Sequence, residues 1–286
     1  MRLLVIIFLI GLVCSGCAIK RAKQNRPSRP GVILGVQSYS FKDYSLDELL
    51  NAMVKLGIRS CELWEGHVAS VPIVRDPKAL TAWRMNINPG HLKEIKEKFK
   101  SRGLSIQAYN ANFKDNVTDD ELEKAFQAAT FLGTKCITSS ATVSLMPRLD
   151  RLAKKYQIIV AMHNHDLVNK PNEFSTSESF KRGMANLSGY IQINLDIGHF
   201  TAINQDPVAY IKEMHKKIPC VHIKDRKQNR GARTPFGKGD TPIGEVLRLI
   251  RDHNWPIVAN IELEYPGDTI EEMERSIAFC INELNK

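Results

Sequence analysis

No glycine-rich dinucleotide fingerprint follows the first strand-like run of this 286-residue chain, which argues against a Rossmann-type nucleotide fold. The leading apolar run, Leu3 to Val13, spans eleven residues and is too short to cross a bilayer comfortably. The six cysteines show neither the spacing of a disulfide framework nor that of a zinc ribbon. Cys61, Cys136, Cys220 and Cys280 are widely scattered and fall mostly in predicted strands, where a buried single thiol is the default. Negative charge is missing before residue 31, where Arg2, Lys20, Arg21, Lys23, Arg26 and Arg29 supply six of the nine net positive charges. That leaves three for the body, which has no special reason to bind phosphate backbones. Aromatic residues make up only 7% of the chain against 43% hydrophobic residues, a composition suited to one large globular domain or two small ones. Past residue 30 there is no low-complexity stretch.

What is present begins with a leader. Met1 and Arg2 precede the apolar run, whose length suits a signal-peptide core. The run ends in Cys14-Ser-Gly-Cys17. This segment resembles the bacterial lipoprotein box, in which small residues precede a cysteine that is lipidated and becomes the new N-terminus. The resemblance implies a lipid on Cys17, anchorage to a membrane and a place in the bacterial cell envelope or periplasm. The chain departs from that pattern at Cys14, where the family usually has leucine. A redox reading of Cys-x-x-Cys fails on context, because that motif opens a helix in a folded domain. Residues 17–30, rich in Lys, Arg, Pro and Ser, read as a flexible tether. The expected division is therefore a signal peptide over 1–16, a tether over 17–30 and a folded body over 31–286.

In that body, strand-like and helix-like patterns alternate about every thirty residues. The predicted strands are Val32 to Phe41, Arg59 to Trp64, Ser105 to Ala111, Lys135 to Ser140, Ile158 to His165, Ile191 to His199, Cys220 to Asp225 and Ile257 to Tyr265. The helices between them start at Ser45, Pro89, Thr118, Met146, Ser177, Pro207 and Ile243, and one from Thr269 to Leu284 closes the chain. The segment between Trp64 and Pro89 reads as a long loop rich in Pro, Asn and Arg. Strict alternation argues for a parallel sheet. Eight units match a single-domain (β/α)8 TIM barrel better than an open doubly wound sheet.

Ile191-Gln-Ile-Asn-Leu-Asp196 sharpens the barrel reading. Three aliphatic residues alternate with Gln192, Asn194 and Asp196, so one face of this strand is polar. Unpaired polar groups in a core cost several kcal/mol, so the polar face must find partners. The inside of a barrel near its open end provides them. Other strand ends carry ligand-type residues at the same parity: His163 and His165, His222 and Lys224, Glu262 and Glu264. Like-signed carboxylates in a dry mouth need a positive partner, and mixed imidazole and carboxylate donors suit a divalent cation.

With His163-Asn-His165, Asp196-Ile-Gly-His199, His222-Ile-Lys-Asp225, Phe236-Gly-Lys-Gly-Asp240 and Ile261-Glu-Leu-Glu264 on successive strand ends and one following loop, the chain resembles the sugar isomerase/epimerase superfamily with the xylose-isomerase-like TIM barrel. The resemblance covers roughly Gly31 to Leu284. It implies one divalent ion, Mn2+, Co2+, Zn2+ or Mg2+, held by His163, Asp196, His222 and Glu262. The chain departs at His163, where many members have a glutamate; His165 and Glu173 are the other candidates for that position.

Such a site suits proton removal next to the carbonyl of a keto-sugar, through an enediolate. Glu262 or Glu264 stands as base on one face and His163 or His165 on the other, with Lys224 polarising an oxygen. Glu62 and Trp64 share a parity at the end of the second strand and are candidates, with His199 and Glu264, to contact the sugar. Isomerisation and epimerisation return the proton, whereas elimination from a keto-glycoside expels a neighbouring oxygen. A tethered sugar-binding protein without activity is a further reading. An apurinic-endonuclease-like nuclease would want an Asp-x-His pair after the seventh strand, where Arg233 to Asp240 holds no histidine, and a basic surface for nucleic acid.

Overall fold

The computed structural model describes residues 31–286. The expected signal peptide, the lipidated Cys17 and the tether lie outside the described residues. Eight parallel strands, β1 (Ile33–Gln37), β2 (Ser60–Trp64), β3 (Ser105–Asn110), β4 (Cys136–Ser139), β5 (Ile159–His163), β6 (Ile191–Asp196), β7 (Cys220–Ile223) and β8 (Val258–Ile261), close into a barrel in sequence order. Closure joins β1 to β8 with Gly35 opposite Asn260. Among the described residues no helix is long and apolar enough to cross a membrane.

The helices are α1 (Leu46–Leu56), α2 (Gly66–Ala69), α3 (Val71–Arg75), α4 (Pro77–Met85), α5 (Pro89–Ser101), α6 (Asp119–Leu132), α7 (Met146–Tyr156), α8 (Ser177–Met184), α9 (Ile197–Ala202), α10 (Pro207–Met214), α11 (Ile243–Asp252) and α12 (Thr269–Leu284). Their ends follow local chemistry. Ser45 and Thr118 each close a capping box, with Glu48 and Glu121, and Gly57 ends α1 at φ 73°. Outward strand residues, among them Val36, Leu63, Ile137, Met162, Leu195, Val221 and Ile261, are fully buried against the helices.

The inward face is polar where many barrels place aliphatic layers. Glu62, with no exposed surface, accepts from Gln37 Nε2 at 2.7 Å, Thr138 Oγ1 at 2.6 Å and Asn260 Nδ2 at 2.9 Å, and lies 2.8 Å from His222 Nε2. Asn194 Nδ2 stands at 3.4 Å. One carboxylate thus ties β2 to β1, β4, β6, β7 and β8. Glycine at position 35 is required by this layer, because a Cβ there would stand 2.3 Å from Asn260 Oδ1.

Three departures from the sequence reading concern boundaries. Strands expected to reach Phe41, His165, Asp225 and Tyr265 end at Gln37, His163, Ile223 and Ile261, and a 3-10 turn occupies Ser38–Phe41. The run through His199 stops being strand at Asp196, whose side chain caps α9 by accepting from His199 N at 2.7 Å. The expected loop after Trp64 folds into α2, α3 and α4. Each is too short for a period of 3.6 to show in sequence, and Pro72 and Pro77 interrupt the run.

That segment is anchored by a buried ion pair. Arg84 grips Glu65 with Nε at 3.0 Å and Nη2 at 2.6 Å, and Nη2 also donates to Asn112 O at 2.9 Å. Tyr109 Oη donates to Glu65 Oε1 at 2.9 Å, and both members of the pair are buried. Removing one partner leaves an uncompensated buried charge. Arg84→Ala is therefore expected to cost about 3–5 kcal/mol in urea unfolding. Lys98→Ala, which breaks the exposed pair with Asp47, is expected to cost under about 1 kcal/mol.

Candidate functional site

His163, Asp196, His222 and Glu262 stand at the C-terminal ends of β5 to β8, and each offers an atom within 4.8 Å of the others. All four are buried. The four-donor set contains neither His165 nor Glu173. Glu62 orients His222 from below: with Nε2 directed at the Glu62 carboxylate, Nδ1 faces upward, 3.0 Å from Glu262 Oε2. Neither His222 Nδ1 nor Glu262 Oε2 completes a hydrogen bond despite this approach. Two buried donor atoms without hydrogen-bond geometry, flanked by Asp196 Oδ2 and His163 Nε2, fit a shared cation of the kind mixed nitrogen and oxygen ligands prefer. A carboxylate behind a ligating histidine is the usual support of such a site.

Glu62 does not meet sugar as expected from its parity. It lies a layer below the mouth, without exposed surface, and its oxygens are taken by side chains from five other strands. Trp64 lines a cavity of about 240 Å³ with Tyr39, Asn110 and Asn112, and Tyr39 meets its ring edge-on at 5.0 Å. Glu264 lines a neighbouring cavity of about 480 Å³ with Tyr39, Lys42, Arg233 and Tyr265.

Lys224 is held among carboxylates. Its Nζ lies 2.9 Å from Asp196 Oδ2, 2.9 Å from Glu262 Oε2 and 2.6 Å from Glu264 Oε2. Burial works against its charge, but these three acids raise its pKa above the usual lysine value. Conversely, burial would raise Asp196 and Glu262, and Lys224 as first counter-charge holds both well below the carboxylate range. Burial would lower His222, and Glu62 and Glu262 on either side raise it well above the ordinary histidine value.

His165 is different. Burial, then His163 and Lys224, push its pKa down to about 3, so the ring is neutral at ordinary pH. It is the partly exposed member of the histidine group, 4.8 Å from His163 and 5.4 Å from His199 between ring centroids. His199 is buried on α9, and Arg226 Nη1 stands 2.7 Å from its Nδ1. A guanidinium only donates, so Nδ1 accepts and the proton sits on Nε2.

Arg226, Asp166, Asn164 and Asp225 carry supporting roles that parity did not reveal. Arg226 donates to Asp166 Oδ2 at 2.9 Å and to Gly231 O at 3.0 Å. Asp225 accepts from Gly237 N at 2.8 Å and Gly239 N at 2.9 Å, which folds the glycine-rich loop back. That loop brings Arg233 Nε to 2.9 Å from Glu264 Oε2. Asn164 pairs with the Asp196 backbone, receiving from its N at 2.9 Å and donating to its O at 3.1 Å, so Asp196 is fixed from β5. Asn164→Ala leaves those two buried groups unpaired and is expected to cost about 1–3 kcal/mol in chemical denaturation.

A family model described as the xylose isomerase-like TIM barrel matches residues 50–283. No curated protein matches the sequence. Among solved structures, a sugar phosphate isomerase/epimerase from Parabacteroides distasonis superposes with a TM-score of 0.66 at 17% identity, over 91% of this chain and 97% of that one. The 3-keto-D-glucoside 4-epimerase of E. coli gives 0.66 at 15% identity, over 88% and 99%. The IolI protein, solved with a zinc atom bound, gives 0.68 at 16% identity, over 89% and 98%. At these identities the likeness speaks to the fold.

Proposed function

Because this chain belongs to the xylose isomerase-like TIM-barrel family, we propose that it is a divalent-metal-dependent sugar isomerase or epimerase that removes a proton next to the carbonyl of a keto-sugar. The observation that carries this reading is the convergence of His163, Asp196, His222 and Glu262 on one point at the barrel mouth. A cation held there supplies a fixed positive charge beside the substrate carbonyl, which acidifies the neighbouring C–H. Mn2+, Co2+ and Zn2+ suit the two-imidazole, two-carboxylate set best.

The chain's own residues do the rest. His165, neutral and partly exposed, accepts the proton from carbon on its side of the sugar. Lys224 donates to the carbonyl oxygen as negative charge gathers on it. Glu264, with Lys224 and Arg233 on the same oxygen, serves the opposite side, where it takes up a proton from solvent in the adjoining cavity and passes it to carbon, while His165 gives its proton up to solvent. Protonation of the same carbon from the other face gives an epimer, and protonation of the carbon that bore the oxygen gives an isomer. Trp64 and Tyr39 offer ring faces to the sugar.

Elimination from a keto-glycoside on the same residues is a second reading, favoured by the cavity beside Glu264, which leaves room for a glycosidic group. The leader supports it: an enzyme exported and anchored through a lipid on Cys17 in the cell envelope meets free or glycosidically linked sugars more readily than phosphorylated ones. A sugar or keto-glycoside is the partner that this reading names.

Incubation of the protein with Mn2+ or Co2+ in heavy water, with a panel of free keto-sugars and 3-keto-glycosides, tests the proposal. Deuterium is expected next to the carbonyl, or a new double bond where elimination follows. His165→Ala is expected to slow exchange about 10²–10⁴-fold. No exchange and no double bond with any substrate would leave a sugar-binding protein.

A further inference from the structure

The two carboxylates of the metal set have little left to offer a cation. Asp196 Oδ1 accepts from His199 N at 2.7 Å, which leaves Oδ2 as the oxygen facing His163 Nε2 at 3.4 Å. Glu262 Oε2 is the oxygen that faces His222 Nδ1 at 3.0 Å. Those two oxygens, and not their partners, are the ones 2.9 Å from Lys224 Nζ. The lysine side chain is only 3% exposed, so this ammonium sits among the acids and does not reach over them from solvent.

His199 does not hold it there. With Arg226 donating to Nδ1, the His199 Nε2 that stands 3.3 Å from Lys224 carries a proton, so two donors face each other. Three acids set the position of Nζ: it donates a hydrogen bond to Glu264 Oε2 at 2.6 Å and pairs by charge with Asp196 and Glu262. Of these, Glu264 lies outside the four-donor set, at the edge of the larger cavity.

We propose that Lys224 is the resident cation of this site and competes with the divalent ion for Asp196 Oδ2 and Glu262 Oε2, so that it sets how tightly the ion is held. The inference rests on the metal reading above and deepens it. A divalent ion held at these donors and an ammonium 2.9 Å from both oxygens would repel at short range in a medium that screens poorly. Each cation therefore weakens the other's hold. Lys224 keeps one partner when the ion binds, because Glu264 Oε2 at 2.6 Å is not a ligand of that ion. Without the ion, the ammonium spares two buried carboxylates from facing each other uncompensated.

The test is calorimetric titration of Mn2+ into the chelator-stripped full chain, for the natural protein and for Lys224→Met, Lys224→Gln and Lys224→Arg. The Met and Gln variants are expected to bind Mn2+ at least tenfold more tightly, whereas the Arg variant, which keeps the charge, gains nothing. Thermal melting adds a readout that a merely structural lysine would not give. The Met variant melts below the natural protein without Mn2+, and its midpoint rises further when Mn2+ is added. Lys224→Gln serves the same comparison if the Met variant does not fold. Mn2+ binding by the natural protein with unchanged or weaker affinity in the Met and Gln variants overturns the competition and leaves the metal site standing. No Mn2+ binding by any of the four proteins overturns both together.

Discussion

One buried carboxylate organises this molecule. Glu62 places a carboxyl group inside the barrel, where an unpaired polar group would cost several kcal/mol, and side chains from five other strands turn toward it. Their hydrogen bonds fix the inward rotamers of one whole layer, and among them the ring of His222. Everything above follows from that ring: with Nε2 committed downward, Nδ1 is left facing Glu262, and the upper layer begins one step higher.

The upper layer is a problem of like charges. Asp196, Glu262 and Glu264 rise from the ends of β6 and β8, either side of β7, and the structure meets their repulsion with Lys224 at the centre and Arg233 at the rim. The histidines divide by their neighbours. His222, between two acids, is drawn toward the charged form against its burial, while burial, and after it His163 and Lys224, hold His165 neutral. A site that contains both a cation-ready acid pair and a neutral, accessible imidazole suits deprotonation of a weakly acidic carbon.

Much of this was legible in the sequence because barrel chemistry is written with period two. Alternation in Ile191 to Asp196 identified Asn194 and Asp196 as inward, and the same parity turned His222, Lys224, Glu262 and Glu264 inward, while the set of four donors, His163 among them, came from the family resemblance. Parity also misled. It placed Glu62 with Trp64 on the inner face, which is right, but it carries no depth, and one layer of depth separates a contact with sugar from a support for His222. Arg226 and Asn164 act through tertiary partners, Asp166 and His199 for the first and the Asp196 backbone for the second, and no local pattern marks such pairs. The helices α2 to α4 were hidden for a related reason: their stability comes from Arg84 reaching Glu65, not from an amphipathic period.

The central claim is that four side chains from consecutive strands surround one divalent ion. Crystals of the protein grown with Mn2+ and measured at the manganese absorption edge test it most directly. The account predicts one anomalous peak per chain, at bonding distance from His163, Asp196, His222 and Glu262. A map with no peak there, or with manganese bound elsewhere while Lys224 keeps both Asp196 and Glu262, would contradict it.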